Sequence, residues 1–338
     1  MARATVCIPA HNSRSALPGV IETLLRQDFD DFDVLICDDA STDGTWDFLQ
    51  SLEVPRLQTM RNGVNMNLPG TMRRLFAAAT GEFICMHHDH EYVKPGWLRA
   101  MIGLFDRHPS VGMAIPAYDF ILSDGRRISR PPISEDALFR LRNPLPGADF
   151  IRVLAREVHT PVSAHGTVFR ASTVRAAGGY SDRWGLAADE DLYRRVAMIA
   201  DVAYCPEPVV VVVARPSLRQ FSLGAFSGIY TLFEFRKDLT RHRFGERPLL
   251  RRLSLARLSI LETRALGHQL LYRWMFGSKA ELKLAQSWDR IAALPPGRPV
   301  PSRLARFAIG ALVTLLTSFP TLGGWLGRGW RLLRGRGC

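Results

Sequence analysis

Cysteine is scarce in this sequence and shows no pattern. There are 5 among 338 residues, with no CxxC pair and no paired spacing. That argues against a disulfide framework and points to a reducing compartment. Cys7, Cys37 and Cys85 each fall inside an apolar run, where a free thiol behaves as a small buried hydrophobe. No internal repeat is present, so repeat architectures drop out. No leader is expected, because the strand-like "ATVCIPAHN" begins almost at Met1. The loop that follows, "PAHNSRSALPG", lacks the glycine-rich basic character of a phosphate-gripping loop, which tells against a nucleotidyltransferase.

Acidic residues are also short, but only in one part of the chain. From Arg215 onward 22 Lys+Arg face 6 Asp+Glu, whereas the first 214 residues carry 22 against 26. The net charge of +12 therefore sits in the C-terminal part and implies an anionic partner there. The basic residues surround strongly apolar segments, so an anionic membrane surface fits better than nucleic acid. A solvated basic helical face is the plainer alternative. Phe307 to Gly327 form 21 consecutive uncharged positions, just long enough to cross a bilayer. Pro320 and Gly323-Gly324 interrupt its second half, and Trp325, Trp330 and a basic tail follow. That pattern favours a monotopic or re-entrant anchor over a span or a buried core helix. The expected division is a domain over residues 1–214 and a basic helical region over 215–338, with a membrane-associating segment at 304–334.

What is present is the composition of a globular chain, 47% hydrophobic and 22% charged, long enough to bury a sizeable core. The first two hundred residues alternate short apolar runs with helical patterns. "TVCIPA" reads as a strand and "SALPGVIETLLRQ" as a helix with Ser15 at its N-cap. "DVLICDDAS" and "DGTWDFLQSL" repeat the pair, followed by "RLQTMRN", "PGTMRRLFAAAT" and "EFICMHH". This order implies an α/β fold with a doubly wound, mainly parallel sheet flanked by helices. Ligands in such sheets bind at the carboxyl ends of the strands. Three polar clusters fall there: "PAHN", "DDAS" and "HHDHE". From "ISRPPISEDALFRLRNPLPG" the chain reads as a long excursion over the site. A strand, a helix, a Gly-Gly turn and a second helix opening at Asp189 come next, then the strands of "DVAYCPEPVVVVVARP".

"MHHDHE" alone looks like a metal cluster of its own kind. Zinc needs three convergent ligands, and His88 and His90 alternate across a strand if the strand runs that far. Asp38 and Asp39, at a strand end, can accept hydrogen bonds from a base and a ribose.

Four segments taken in order, "CIPAHN", "ICDDASTDGTWDFL", "GEFICMHHDHEYVKPGWL" and "AADEDLYRRV", resemble the family-2 glycosyltransferases. These are inverting nucleotide-sugar enzymes of the GT-A fold, and the resemblance covers Thr5 to Val213. It implies that Asp39 contacts the nucleobase, with Asp38 beside it, and that Pro9, Ala10 and Asn12 wrap the nucleoside. A simple strand-to-helix turn is the alternative for that loop. The family holds a divalent cation, Mn²⁺ or Mg²⁺, with an Asp-x-Asp motif. Here His88 and His90 occupy the two Asp positions, Asp89 lies between them, and Glu91 matches an acidic residue that often follows. The implied metal group is His90, Asp89 and Glu91, with His88 and Asp89 on the donor side. A non-ligating surface cluster is the alternative.

The resemblance places the catalytic base at Asp189, with Ala188 replacing the usual Glu. Glu190 is the competitor if the register slips by one, and Asp191 matches the later acidic position. These three carboxylates also suit a helix N-terminus without any catalytic role. Arg73 or Arg74 could pair with a phosphate, with a solvated helix face as the alternative, and His165 is an acceptor-side candidate, with a core histidine as the alternative. The function implied is hexosyl or related transfer from a nucleotide sugar, a UDP-sugar first, to a glycan or lipid-linked acceptor in cell-surface polysaccharide or glycolipid synthesis. Nucleic acid is not an expected partner. The place expected is the cytoplasmic membrane face, held peripherally or monotopically. The rival is a non-catalytic nucleotide-sugar or glycan-binding module with a degenerate metal site.

Overall fold

The computed structural model describes residues 2–121, 125–130, 142–156, 165–185 and 188–213. The chain divides into two units, Met1–Leu218 and Arg219–Cys338. The basic region 215–338, with its segment 304–334, lies outside the described residues, as does the part of the expected excursion at 131–141.

Nine strands and seven helices are named here in chain order. They are β1 Ala4–Ala10, α1 Leu17–Leu25, β2 Phe32–Asp38, α2 Thr45–Gln50, β3 Leu57–Arg61, α3 Asn67–Ala78, β4 Phe83–Met86 and β5 Glu91–Val93. They continue with α4 Trp97–Arg107, β6 Val111–Ile121, β7 Arg127–Arg130, α5 Gly147–Arg156, β8 Val168–Arg170, α6 Ala171–Ala176, α7 Ala188–Ala197 and β9 Asp201–Val213. The sheet runs β3-β2-β1-β4-β8-β6-β9-β5, with β7 paired to β6. β1, β2, β3 and β4 are mutually parallel, and β8 enters antiparallel between β4 and β6. β9 is parallel to β6, while β5 and β7 pair antiparallel with β9 and β6. The sheet is therefore the expected mixed, mostly parallel one.

Every residue of β1 is buried, as are five successive residues of β2, because helices cover both faces of the sheet. One core layer gathers Leu17, Val20 and Leu24 of α1 with Trp97, Met101 and Phe105 of α4. The other gathers Met72 and Leu75 of α3 with Leu192, Tyr193 and Val196 of α7. Burying each large side chain contributes about 1.5–3 kcal/mol, so the strand ends are held by a rigid two-sided core.

The sequence expectation differs at α1, where the N-cap is Ala16 and not Ser15. Pro18 sits in the first turn, and the Ser13 carbonyl accepts the amides of both Ala16 and Leu17, closing the turn without a side-chain cap. "ISR" also belongs to β7, because it pairs with Tyr118–Phe120 of β6.

Candidate active site

Register sets the first half of the site. Ala10, Asp38 and Arg61 stand level across β1, β2 and β3. Arg61 Nε therefore reaches Asp38 Oδ2 at 3.0 Å, and the Asp38 side chain is fully buried. Asp39 follows, its amide donating to the Ala10 carbonyl at 2.8 Å. Its Oδ1 accepts from Asn62 Nδ2 and from the Met66 amide, each at 2.8 Å. Among the described residues Oδ2 has no partner. Arg74 Nη1 braces Asn62 by donating to its Oδ1 at 2.6 Å. A depression of about 330 Å³ beside this end is lined by Ala40, Arg61, Asn62 and Gly63.

The loop after β1 is zipped to the loop after β2. Asn12 Oδ1 accepts the Thr42 amide at 2.9 Å, and the Asn12 amide donates to Ser41 Oγ at 2.9 Å. Asn12 therefore holds the loop's shape, while Pro9 and Ala10 lie buried in β1 beneath it. Arg73 is half-exposed and pairs with Asp182 at 3.2 Å.

The second half begins where β4 stops. Met86 is level with Cys7, and the His87 amide donates to the Cys7 carbonyl. The chain then turns through His87–His90 and restarts as β5 at Glu91, pairing with Val212 of β9. The strand does not continue, so His88 and Glu91 come together across the turn, with Nδ1 and Oε1 2.5 Å apart.

His165 completes the group from 74 residues away. Antiparallel pairing of β8 with β4 sets Val168 opposite Cys85, and the Met86 amide donates to the Thr167 carbonyl. The two residues before Thr167 are thus delivered beside the turn after β4. His165 Nδ1 and Glu91 Oε1 form a close hydrogen-bonded pair. Gly166 makes this path available, with φ +65 and a place for a Cβ only 2.5 Å from Val210 Cγ2. Trp97 Nε1 fixes it by donating to the Gly166 carbonyl at 3.2 Å.

Ligand atoms of His88, Glu91 and His165 all lie within 4.8 Å of one another, the arrangement of a His/Glu metal-binding group. Asp89 and His90 stand outside this group. Asp89 accepts from Ser13 Oγ and from His90 Nδ1, the latter at 3.0 Å. The His90 ring still lies 5.7 Å from that of His88.

Electrostatics follow burial. Burial lowers His87 to about 4, outweighing the Glu91 carboxylate that pulls the other way. It packs edge-on against Trp97, and its Nδ1–H donates to the His88 carbonyl at 2.9 Å. Burial would lower His88 too, but the Glu91 carboxylate outweighs it and pushes His88 up. Burial would raise Glu91, and the charges of His88 and His165 hold it well below the usual carboxylate range.

Asp189 opens the first turn of α7, as expected for that helix. Burial raises its pKa, while the Tyr180 hydroxyl and the charges of His88 and His165 pull the other way. Asp191 is held by Arg194 at 3.1 Å and Arg195 at 2.8 Å. Arg195 also binds the carbonyls of Ala177 and Gly179, so Asp191 clamps the Gly-Gly turn. Glu190 is 3% exposed and faces the interior, which leaves Asp189 as the partly open carboxylate of the three. Sequence reasoning missed Tyr180, Ser13 and Asn62, none of which belongs to a motif.

Residues 5–172 match the family model described as glycosyl transferase family 2. Among curated relatives, EpsE of Bacillus subtilis, named a glycosyltransferase, is 25% identical over 202 residues, 57% of this chain and 66% of that protein. The poly(ribitol-phosphate) beta-N-acetylglucosaminyltransferase TarS of Staphylococcus aureus is 29% identical over 119 residues, 32% of this chain and 20% of that one. These matches span less than two thirds of either relative. The crystal structure of S. aureus TarS 1-349 in complex with UDP-GlcNAc superposes with a TM-score of 0.56 at 15% identity, covering 97% of this chain and 92% of that one. The mannosyltransferase PcManGT of Pyrobaculum calidifontis, in complex with GDP-Man and Mn²⁺, gives 0.52 at 17% identity, covering 94% and 87%. The fold is that of the GT-A glycosyltransferases.

Proposed function

Because this chain belongs to glycosyl transferase family 2, we propose that it moves a sugar from a nucleotide donor to an acceptor hydroxyl with inversion. The observation that carries the reading is a convergence at the carboxyl edge of one sheet. Asp39 keeps a second carboxylate oxygen beyond its bonds to Asn62 and Met66 there, His88, Glu91 and His165 meet there, and Asp189 stands within their electrostatic reach.

Asp39 Oδ2 accepts an N–H of the base, and Asn62 and the Met66 amide fix the carboxylate's orientation through Oδ1. A UDP-sugar is the favoured donor, since the TarS structures hold UDP and UDP-GlcNAc. Arg61, paired with Asp38, lines the depression, and Arg74 stiffens it through Asn62. Arg73 has to leave Asp182 to reach a phosphate.

The residues at the turn after β4 fit a divalent cation. Glu91 Oε2 is buried without a hydrogen-bond partner, and its carboxylate with the His88 and His165 imidazoles makes a mixed oxygen and nitrogen donor set for a first-row divalent ion. Such a cation supplies charge neutralisation for a departing diphosphate. Asp189 takes the proton from the acceptor hydroxyl as it attacks. Its raised pKa makes it a better base than an exposed carboxylate, and Tyr180 holds it in place.

The acceptor we propose is a glycan or lipid-linked saccharide of the cell surface. Support comes from the names of relatives, including the succinoglycan biosynthesis protein ExoO and the glucosyltransferase WfaP, which acts on a diphosphoundecaprenol acceptor. The basic apolar stretch 304–334 would hold the chain at the anionic cytoplasmic membrane face. No helix among the described residues is long and apolar enough to cross a membrane.

The test is thermal stabilisation of the full chain by a panel of nucleotides and nucleotide sugars, with and without Mn²⁺ or Mg²⁺. Ligand at a hundredfold excess over Kd adds about 2.7 kcal/mol, a shift of several degrees. Stabilisation by a UDP compound that is lost in Asp39→Asn supports the reading. Stabilisation by a glycan alone, with no nucleotide active, would instead support a non-catalytic binding module.

A further inference from the structure

We propose that His88, Glu91 and His165 form a two-histidine, one-carboxylate site for a transition-metal ion, with Asp89 and His90 outside its coordination shell. The proposal deepens the functional reading at the same strand ends, but it stands on its own geometry.

Three observations carry it. First, the ligand atoms of the three residues lie within 4.8 Å of one another, close enough for one ion to touch all three. Second, both imidazoles turn Nδ1 toward a single oxygen of Glu91, and Glu91 Oε2 is fully buried with no hydrogen-bond partner, the neutral His87 Nδ1 lying 3.3 Å away and donating instead to the His88 carbonyl. A buried carboxylate oxygen left unsatisfied is costly, and an ion at this point would satisfy it. Third, the three residues are graded in exposure. The Glu91 side chain is 0% exposed, His88 9% and His165 24%, so the group opens on one side where exogenous ligands can complete the coordination.

The positions of Asp89 and His90 are explained by other work. Asp89 binds Ser13 and His90, which ties the turn to the loop after β1. The donor set also sets selectivity. Imidazole favours the later first-row ions such as Co²⁺ and Zn²⁺ over Mn²⁺, whereas Mg²⁺ demands oxygen ligands and retains its waters. The site should therefore discriminate against Mg²⁺.

The test is Co²⁺ titration of the full chain with no nucleotide present, followed by visible absorption and by calorimetry, with Mg²⁺, Mn²⁺ and Zn²⁺ as competitors. One ion per chain is expected, with spectra of nitrogen ligation, displaced by Zn²⁺ and not by equal Mg²⁺. Affinity should fall by at least about tenfold, the scale of losses around metal sites, in His165→Ala and in Glu91→Gln, and survive in His90→Ala. His165→Asn, with circular dichroism on each variant, guards against a folding defect. Loss in His90→Ala with retention in His165→Ala would overturn the ligand set. No ion bound by the folded chain would reduce the group to a hydrogen-bonded network. Because no donor is present, either failure is separable from a failure of nucleotide binding.

Discussion

The Tyr180 hydroxyl donates a 2.6 Å hydrogen bond to Oδ1 of Asp189, the residue we assign as base. A phenol donating to a carboxylate stabilises the ionised form, and burial works against it. Tyr180→Phe removes the stabilising partner, so the Asp189 pKa rises further. The acid limb of the kcat/KM profile should then move to higher pH, with the alkaline limb unchanged. A profile that only scales down, without moving, would give Tyr180 a packing role alone.

Asp39 separates binding from folding by its two oxygens. Asp39→Ala strands the Asn62 amide and the Met66 N–H in a buried place. It should cost about 1–3 kcal/mol of stability, read from a denaturant midpoint. Asp39→Asn, with its carbonyl toward those donors, should fold nearly normally yet lose nucleotide affinity, because its NH₂ meets the base N–H. Equal stability loss in both variants would refute this division of labour.

Gly166 should tolerate no side chain. Alanine at φ +65 pays roughly 1–2 kcal/mol for a left-handed backbone, and its Cβ would meet Val210 Cγ2 at 2.5 Å. Gly166→Ala should lower stability by at least that amount and weaken metal binding by displacing His165. Stability equal to wild type would contradict the packing described.

Away from the site, burial would raise Asp119, but bonds from Arg127, Ser129 and Lys94 outweigh it and hold it well below the carboxylate range. A depressed folded pKa gives stability that is present above the unfolded value near 3.9 and lost as pH falls through the folded one. Asp119→Asn should therefore destabilise the chain at pH 7 and make progressively less difference below pH 4. A constant difference across that range would rule out the charge as its source.

The β-α-β-α order and the polar strand ends were legible because each rests on local periodicity and on residues adjacent in sequence. The turn at His87–His90 was not. Its shape depends on β5 pairing with β9, more than a hundred residues on. His165 could be named a candidate, but its meeting with Glu91 requires β8 to enter antiparallel beside β4. Asp191 shows the opposite case. It matches a motif position, yet its side chain is held by Arg194 and Arg195, a pairing that the helical spacing of three and four residues already allowed.

The most direct test of the central claim is turnover of a stabilising nucleotide sugar by the full chain beside Asp189→Asn, read as release of nucleoside diphosphate. The account predicts that Asp189→Asn binds the donor as wild type does and releases diphosphate about 10²–10⁴-fold more slowly, the usual contribution of a general base. Turnover by Asp189→Asn at the wild-type rate would contradict it.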